Sequence, residues 1–196
     1  MILYLFLTFL FTPGNNDPKS WIIKTNEPNY RVLVRESDHT GIKEIKIVHK
    51  FKGNFKKLIV AMNDIKTNEK LFSNCTKANL LKQLDAHNSY QYFYFKMPIT
   101  VADRDIISKV TIYFNDSSYS LVSHATDSKL IAKNVDVIRI HKANTSWQFR
   151  KTGNGEIIMD YYASADPGGS IPKWLVNALA IRESKISIEK LKKMMN

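Results

Sequence analysis

Five histidines and one cysteine carry the most versatile chemistry in this chain: His39, His49, His87, His124, His141 and Cys75. Neutral imidazole ligates zinc or relays protons, and a thiolate is a nucleophile. Both uses need partners at defined positions. No HxH or HExxH spacing occurs, and no histidine adjoins Cys75. His49, His124 and His141 fall on expected strands, where a fold could bring them together as a three-histidine metal site. Cys75 with a distant histidine would make a nucleophilic pair. The plainer reading is that each histidine lies on the surface or is satisfied in the core. Gly168-Gly169 before a helix looks like an anion-binding turn, but the rest of a phosphate fingerprint is missing, so it reads as a chain reversal. No catalytic residue, metal ligand or cofactor is assigned.

The other chemistry is electrostatic. Lys and Arg number 29 against 18 Asp and Glu, a net charge of +11. Such a surface attracts nucleic acid or anionic lipid. The lysines are spread from Lys43 to Lys82 with no Arg-rich block and no zinc-finger or RNP spacing. A solvated basic surface is the simplest reading. Peripheral contact with an anionic membrane comes next, and nucleic acid is not expected. A basic module for RNA or an acidic partner would need the lysines on one face. With a single cysteine no intramolecular disulfide can form, which leaves the compartment open.

These side chains must be positioned by one domain, since 196 residues with 44% hydrophobic content can build a substantial core. Tyr30–Arg35 and Ile42–Phe51 read as strands joined by a turn at Asp38-His39-Thr40-Gly41. Asn54 caps a helix whose Phe55, Leu58, Ile59 and Met62 share a face, and a second short helix covers Asp64–Phe72. Strands follow at Ala78–Leu84, Tyr90–Met97, Asp105–Phe114, Tyr119–Ala125, Val135–Phe149 (bent or bulged) and Glu156–Ala165. Gly153-Asn154-Gly155 is the hairpin turn between the last two. The chain ends in a long helix. Ser170 is its expected cap, and Pro172 lies in its first turn. Trp174, Ala178, Ile181, Ile188 and Met195 form its apolar stripe, with Arg182, Glu183, Lys190, Lys192 and Lys193 elsewhere. Segregated strands and helices indicate an α+β fold: a curved antiparallel sheet with the helix across its concave side, around a pocket or a plain core.

Two stretches sharpen this. Pro98-Ile99-Thr100-Val101-Ala102-Asp103-Arg104-Asp105 links two strands. Asp166-Pro167-Gly168-Gly169-Ser170-Ile171-Pro172-Lys173-Trp174-Leu175-Val176-Asn177 opens the final helix. Together, in this order, they resemble the START (StAR-related lipid transfer) domain. The order of elements from Trp21 onward is similar too.

The resemblance implies a helix-grip fold with an internal hydrophobic tunnel closed by the C-terminal helix and the 98–104 loop. It implies non-catalytic binding or transfer of a lipid or other apolar molecule. The alternative is a cyclase- or hydrolase-like enzyme of the same superfamily acting on a hydrophobic substrate. Candidate cavity residues are Gln91, Phe93, Phe95, Ile106, Val110, Ile112, Trp174, Ala178 and Ile181. Pro98, Arg104, Asp105, Gly168, Gly169 and Pro172 are expected to shape the loop and lid, with Arg104 pairing with a carboxylate. Sterol-carrying members place a carboxylate and a guanidinium on the strands flanking the Arg-Asp turn. The matching positions here are Gln91 and Val110, which form no ion pair, although Gln91 offers an amide. A monomer is expected.

Ile2–Phe11 is an apolar run of about ten residues, too short to span a bilayer as a helix but the length of a signal-peptide core. No Lys or Arg precedes it, and no small-x-small cleavage site follows. Residues 1–16 are therefore read as a possible signal segment and 17–196 as the lipid-binding domain. A secreted or periplasmic location is expected, otherwise a cytoplasmic one.

Overall fold

The computed structural model describes residues 20–37, 42–98 and 100–195. The possible signal segment, the turn at 38–41 and Ile99 lie outside these. Strands β1 (Ile22–Glu27), β2 (Tyr30–Glu36) and β3 (Lys43–Lys52) are followed by helices α1 (Phe55–Asn63) and α2 (Thr67–Leu71). Next come β4 (Cys75–Gln83), β5 (Asn88–Phe95), β6 (Asp103–Phe114), β7 (Ser118–Ala125), β8 (Val137–Arg139), β9 (Lys142–Lys151) and β10 (Glu156–Asp166). Helix α3 (Lys173–Met195) closes the chain.

One curved sheet runs in the order β1-β2-β3-β10-β9-β7-β6-β5-β4, antiparallel at each step, with β8 parallel to the start of β6. This is the α+β, helix-grip arrangement. The Val135–Phe149 segment is not one bent strand. It breaks at Ile140-His141, because β8 pairs with β6 while β9 pairs with β7 and β10. The second helix is shorter than expected: Asp64 accepts the Lys66 N–H at 2.9 Å, and only Thr67–Leu71 is helical. Asn54 does cap α1, accepting the Lys57 N–H at 3.1 Å.

Side-chain size changes along the strands, and this decides where the molecule is solid. On the concave face, Tyr119, Phe149, Met159 and His49 are cross-strand neighbours. One rung further, Ile112, Leu121, Trp147, Tyr161 and Ile47 adjoin. These large groups fill one half of the fold, under α1 (Phe55, Leu58, Met62) and the C-terminal half of α3 (Ile188, Leu191, Met195). The buried Tyr119 hydroxyl donates to the Met62 carbonyl at 3.1 Å and so ties α1 to the sheet. The following rung is Val110, Ser123, Thr145 and Ala163. These side chains are too small to reach α3, and close packing stops there.

His49 is buried between Tyr30 and Phe51. Its Nδ1 lies 2.6 Å from the Asn29 carbonyl. A carbonyl only accepts, so Nδ1 carries the hydrogen, and Nε2 has no partner among the described residues. Burial, reinforced by Lys192, pushes the imidazole below its ordinary pKa of 6.5; the Asn29 bond, Glu189 and Glu27 oppose this only in part. The unfolded chain therefore binds a proton that the fold resists. Stability is unaffected above pH 6.5 and falls as pH drops below it toward the depressed value. Urea unfolding at pH 7.5 and 5.5 is expected to show a smaller drop for His49→Phe than for the parent. Equal drops would assign the acid sensitivity to other groups.

Candidate functional site

Where the strands carry small residues, a cavity of about 800 Å³ lies between the sheet and the N-terminal half of α3. Its floor takes alternate residues from each strand, as strand geometry requires: Gln91, Phe93 and Phe95 from β5, and Arg104, Ile106, Ser108 and Val110 from β6. Leu121 and Ser123 of β7, Thr145 and Trp147 of β9, and Tyr161 and Ala163 of β10 continue it. Its roof is Val176, Leu179, Ala180, Arg182, Glu183 and Ser184 of α3, and Pro98 lies at the rim beside Lys96 and Met97.

Gln91, Phe93, Phe95, Ile106 and Val110 thus line the cavity. Ile112 does not; it packs against the solid core one rung below. Trp174, Ala178 and Ile181 do not line it either. Trp174 is 72% exposed, Ala178 is exposed, and Ile181 packs beside the core. Residues 174–181 read Trp-Leu-Val-Asn-Ala-Leu-Ala-Ile, apolar nearly all round, so periodicity does not fix which face turns inward. The sheet chooses Val176, Leu179 and Ala180, and it turns Glu183 inward with them. Gln91 sits opposite Ser108, and Val110 opposite Ser89. Gln91 and Val110 therefore stand one rung apart on neighbouring strands, and neither is charged.

Arg104 holds the helix entry to the sheet and Asp105 holds β8, in a way the sequence does not show. Arg104 is 2% exposed and meets carbonyls rather than a carboxylate. Its Nε donates to Pro167 at 3.2 Å, Nη2 to Gly168 at 3.0 Å, and Nη1 to Ala102. Burial lowers its pKa. Asp105 instead accepts a two-pronged bond from Arg139 of β8, at 2.6 and 2.9 Å, with both side chains buried. That bond raises the Arg139 pKa. The Tyr92 hydroxyl also bonds to Asp105, and its pKa is pushed up to about 12, chiefly by burial.

Asp103 ties β6 to the end of β5 and the residues after it, accepting from the Met97 N–H at 2.9 Å, the Tyr94 hydroxyl at 2.5 Å and the Lys96 ammonium at 2.9 Å. Those donors, the Met97 amide first, hold its carboxyl at about 2. Asn177 accepts the Lys43 N–H at 2.8 Å and fastens α3 to β3. Asp103, Arg139, Asn177 and Glu183 carry no local sequence signal for these roles. Their partners are remote in the chain or set by register.

Gly168 and Gly169 adopt φ of +63° and +68°, a region that L side chains rarely occupy. The Pro172 carbonyl accepts the first helical N–H bonds, from Leu175 and Val176. Pro172 therefore stands at the cap position, two residues beyond the expected cap Ser170, which is outside the helix. A Cβ on Gly169 would sit 2.7 Å from Ile138 Cδ1 and 3.1 Å from Arg104 Nη2. Gly169→Ala is expected to lose about 1–3 kcal/mol from the backbone conformation alone. A urea midpoint equal to the parent's would show that the turn relaxes without cost.

The candidate chemical groups are not assembled. The His124 Nδ1 bonds to Asn144 and the His141 Nδ1 to Asp127, while His49 is in the core. Among the described residues no cluster of three His, Cys, Asp or Glu could hold a metal ion. Burial pushes the Cys75 thiol up to about 11, and Cys75 lies outside the cavity lining. No described helix is long and apolar enough to cross a membrane.

The profile of the START domain matches residues 16–194. An uncharacterised protein of Pseudomonas aeruginosa is 26% identical over 168 residues, 86% of this chain and 83% of that protein. START domain-containing protein 10 of Homo sapiens is 24% identical over 116 residues, 59% of this chain but only 40% of that protein. Among solved structures, human STARD10 superposes with a TM-score of 0.79 at 20% identity, covering 89% of this chain and 72% of that one. A STAR-related lipid transfer protein from Xanthomonas axonopodis gives 0.76 at 19% identity, covering 89% and 98%. At such identities the superpositions show the shared fold.

Proposed function

The chain belongs to the START domain family, and from that premise we propose that it binds and transfers a lipid or other hydrophobic molecule without altering it. The cavity holds the ligand, and α3 with the 98–104 loop closes over it. The observation that carries this reading is the taper of side-chain size along β6, β7, β9 and β10, which leaves a mostly apolar cavity of about 800 Å³ beside the packed half of the fold. Ligand cavities in proteins are concave and mostly apolar, with a few placed polar groups. Burying an alkyl chain there contributes about 25 cal/mol per Å². The lipid transfer protein from Xanthomonas axonopodis shares the fold, which supports the same class of ligand.

Loading and release require α3 or the 98–104 loop to move. Trp174 and Lys173, both exposed on the first turn of α3, support contact of this end with an anionic lipid surface. The test is mass spectrometry of solvent-extracted purified protein, together with transfer of a fluorescent lipid between vesicles with and without anionic lipid. A co-extracted apolar ligand and saturable transfer are expected. Absence of both would refute the carrier reading.

A further inference from the structure

Glu183 is the one carboxylate that the inward face of α3 carries into the cavity lining. Its Oε1 accepts from the neighbouring Arg182 at 3.2 Å, and Arg182 is itself largely exposed. Its Oε2 is buried and has no hydrogen-bond partner among the described residues. A buried acceptor without a donor is costly, and a carboxylate can only accept. The adjacent Ser184 is not a partner of Oε2; its hydroxyl meets that of Tyr161. That bond sets this turn of α3 above β10, where Ala163 adjoins Thr145 and Thr145 adjoins Ser123. On β6 and β5, Ser108 faces Gln91. The cavity therefore has an apolar body, a floor of hydroxyl and amide groups with the carbonyl-bonded Arg104 at one end, charged Lys43, Asp64, Lys96 and Arg182 also in its lining, and an under-satisfied carboxylate in its roof. Oε2 is packed away from the cavity as well as from solvent; the terminal torsion of a glutamate is broad and two-fold, so a rotation about it brings an oxygen to a donor in the cavity.

We propose that the ligand carries a hydrogen-bond-donating head group, a hydroxyl or an amine on an apolar body, which it presents to the Glu183 carboxylate. This rests on the carrier reading and narrows it to a ligand class. A head group with only acceptors, such as an ester or ether, leaves the carboxylate unpaired and adds an acceptor against it. Sites built to bond a donor reject the analogue that lacks it far more strongly than apolar pockets discriminate by size.

The test compares hexadecan-1-ol, hexadecylamine and hexadecyl methyl ether as competitors for a pyrene-labelled alkane bound to the purified protein. The alcohol or the amine is expected to displace the probe at a concentration at least about tenfold below the ether, a modest fraction of what one hydrogen-bonded head group can discriminate. In Glu183→Leu, with its fold checked by circular dichroism, that preference should vanish while the ether binds as well or better. A preference that survives Glu183→Leu, or none in the parent, overturns the proposal. Should Glu183→Leu fail to fold, Glu183→Gln decides: its preference for the amine must fall, and an unchanged one overturns the assignment. If the parent takes up neither the pyrene alkane nor any competitor, it is the carrier reading that fails, a result distinct from uptake without discrimination.

Discussion

A Val110→Trp, Ala163→Trp double variant is expected to fold and to take up no measurable lipid. Both residues line the cavity on a single rung of the sheet, with Ser123 and Thr145 between them. Val110 is 2% exposed and points into the space that its small neighbours leave open. Overpacking a filled core costs typically about 1–3 kcal/mol, but here the added rings enter an existing cavity, so the stability loss should lie at or below that range. The ligand loses the space it needs, and its buried area goes with it. Fluorescent lipid uptake measures the first effect and a urea melt the second. Full uptake by a folded double variant would mean that the ligand sits elsewhere.

Asp105→Ala is expected to cause the largest loss of stability by a single substitution. Asp105 and Arg139 are 4% and 5% exposed and share two short bonds. Removing one partner leaves an uncompensated buried charge, which costs about 3–5 kcal/mol. At roughly 2–4 °C per kcal/mol for a domain of this size, Tm should fall by about 10 °C. The loss should be largely recovered by replacing both partners with apolar groups, as in Asp105→Leu, Arg139→Met, since a buried pair adds little beyond what good packing supplies. A fall under about 1 kcal/mol in the single variant would show that water reaches Arg139 once the carboxylate is gone.

Much of the fold is legible before any coordinates. The alternation in Ile42–Phe51 fixes which residues of β3 face the core, because the side-chain period of a strand is two. Asn54 and the 55–62 stripe specify α1, and Gly153-Asn154-Gly155 specifies a hairpin. The runs around Arg104 and Gly168-Gly169 carry the family resemblance. Five cavity residues, Gln91, Phe93, Phe95, Ile106 and Val110, follow from strand alternation once the inward face is known. The long helix is different. Its C-terminal half is amphipathic, and Ile188 and Met195 are buried as its stripe requires. Its N-terminal half is apolar on most sides, so the choice of Val176 and Leu179 over Trp174 and Ala178 waits for the surface it meets.

By itself the sequence determined the α+β class, the strand faces and the entry turn of the last helix, since those depend on local periodicity and on backbone conformations that glycine and proline allow. The tertiary structure alone decided that Arg104 holds the Pro167 and Gly168 carbonyls, that Asp105 takes Arg139, and that Glu183 turns inward. These are contacts between segments far apart in the chain, and cross-strand register and the docking angle of α3 set them. The cavity belongs with these, because a void is the difference between what neighbouring rungs can fill and what the helix leaves uncovered.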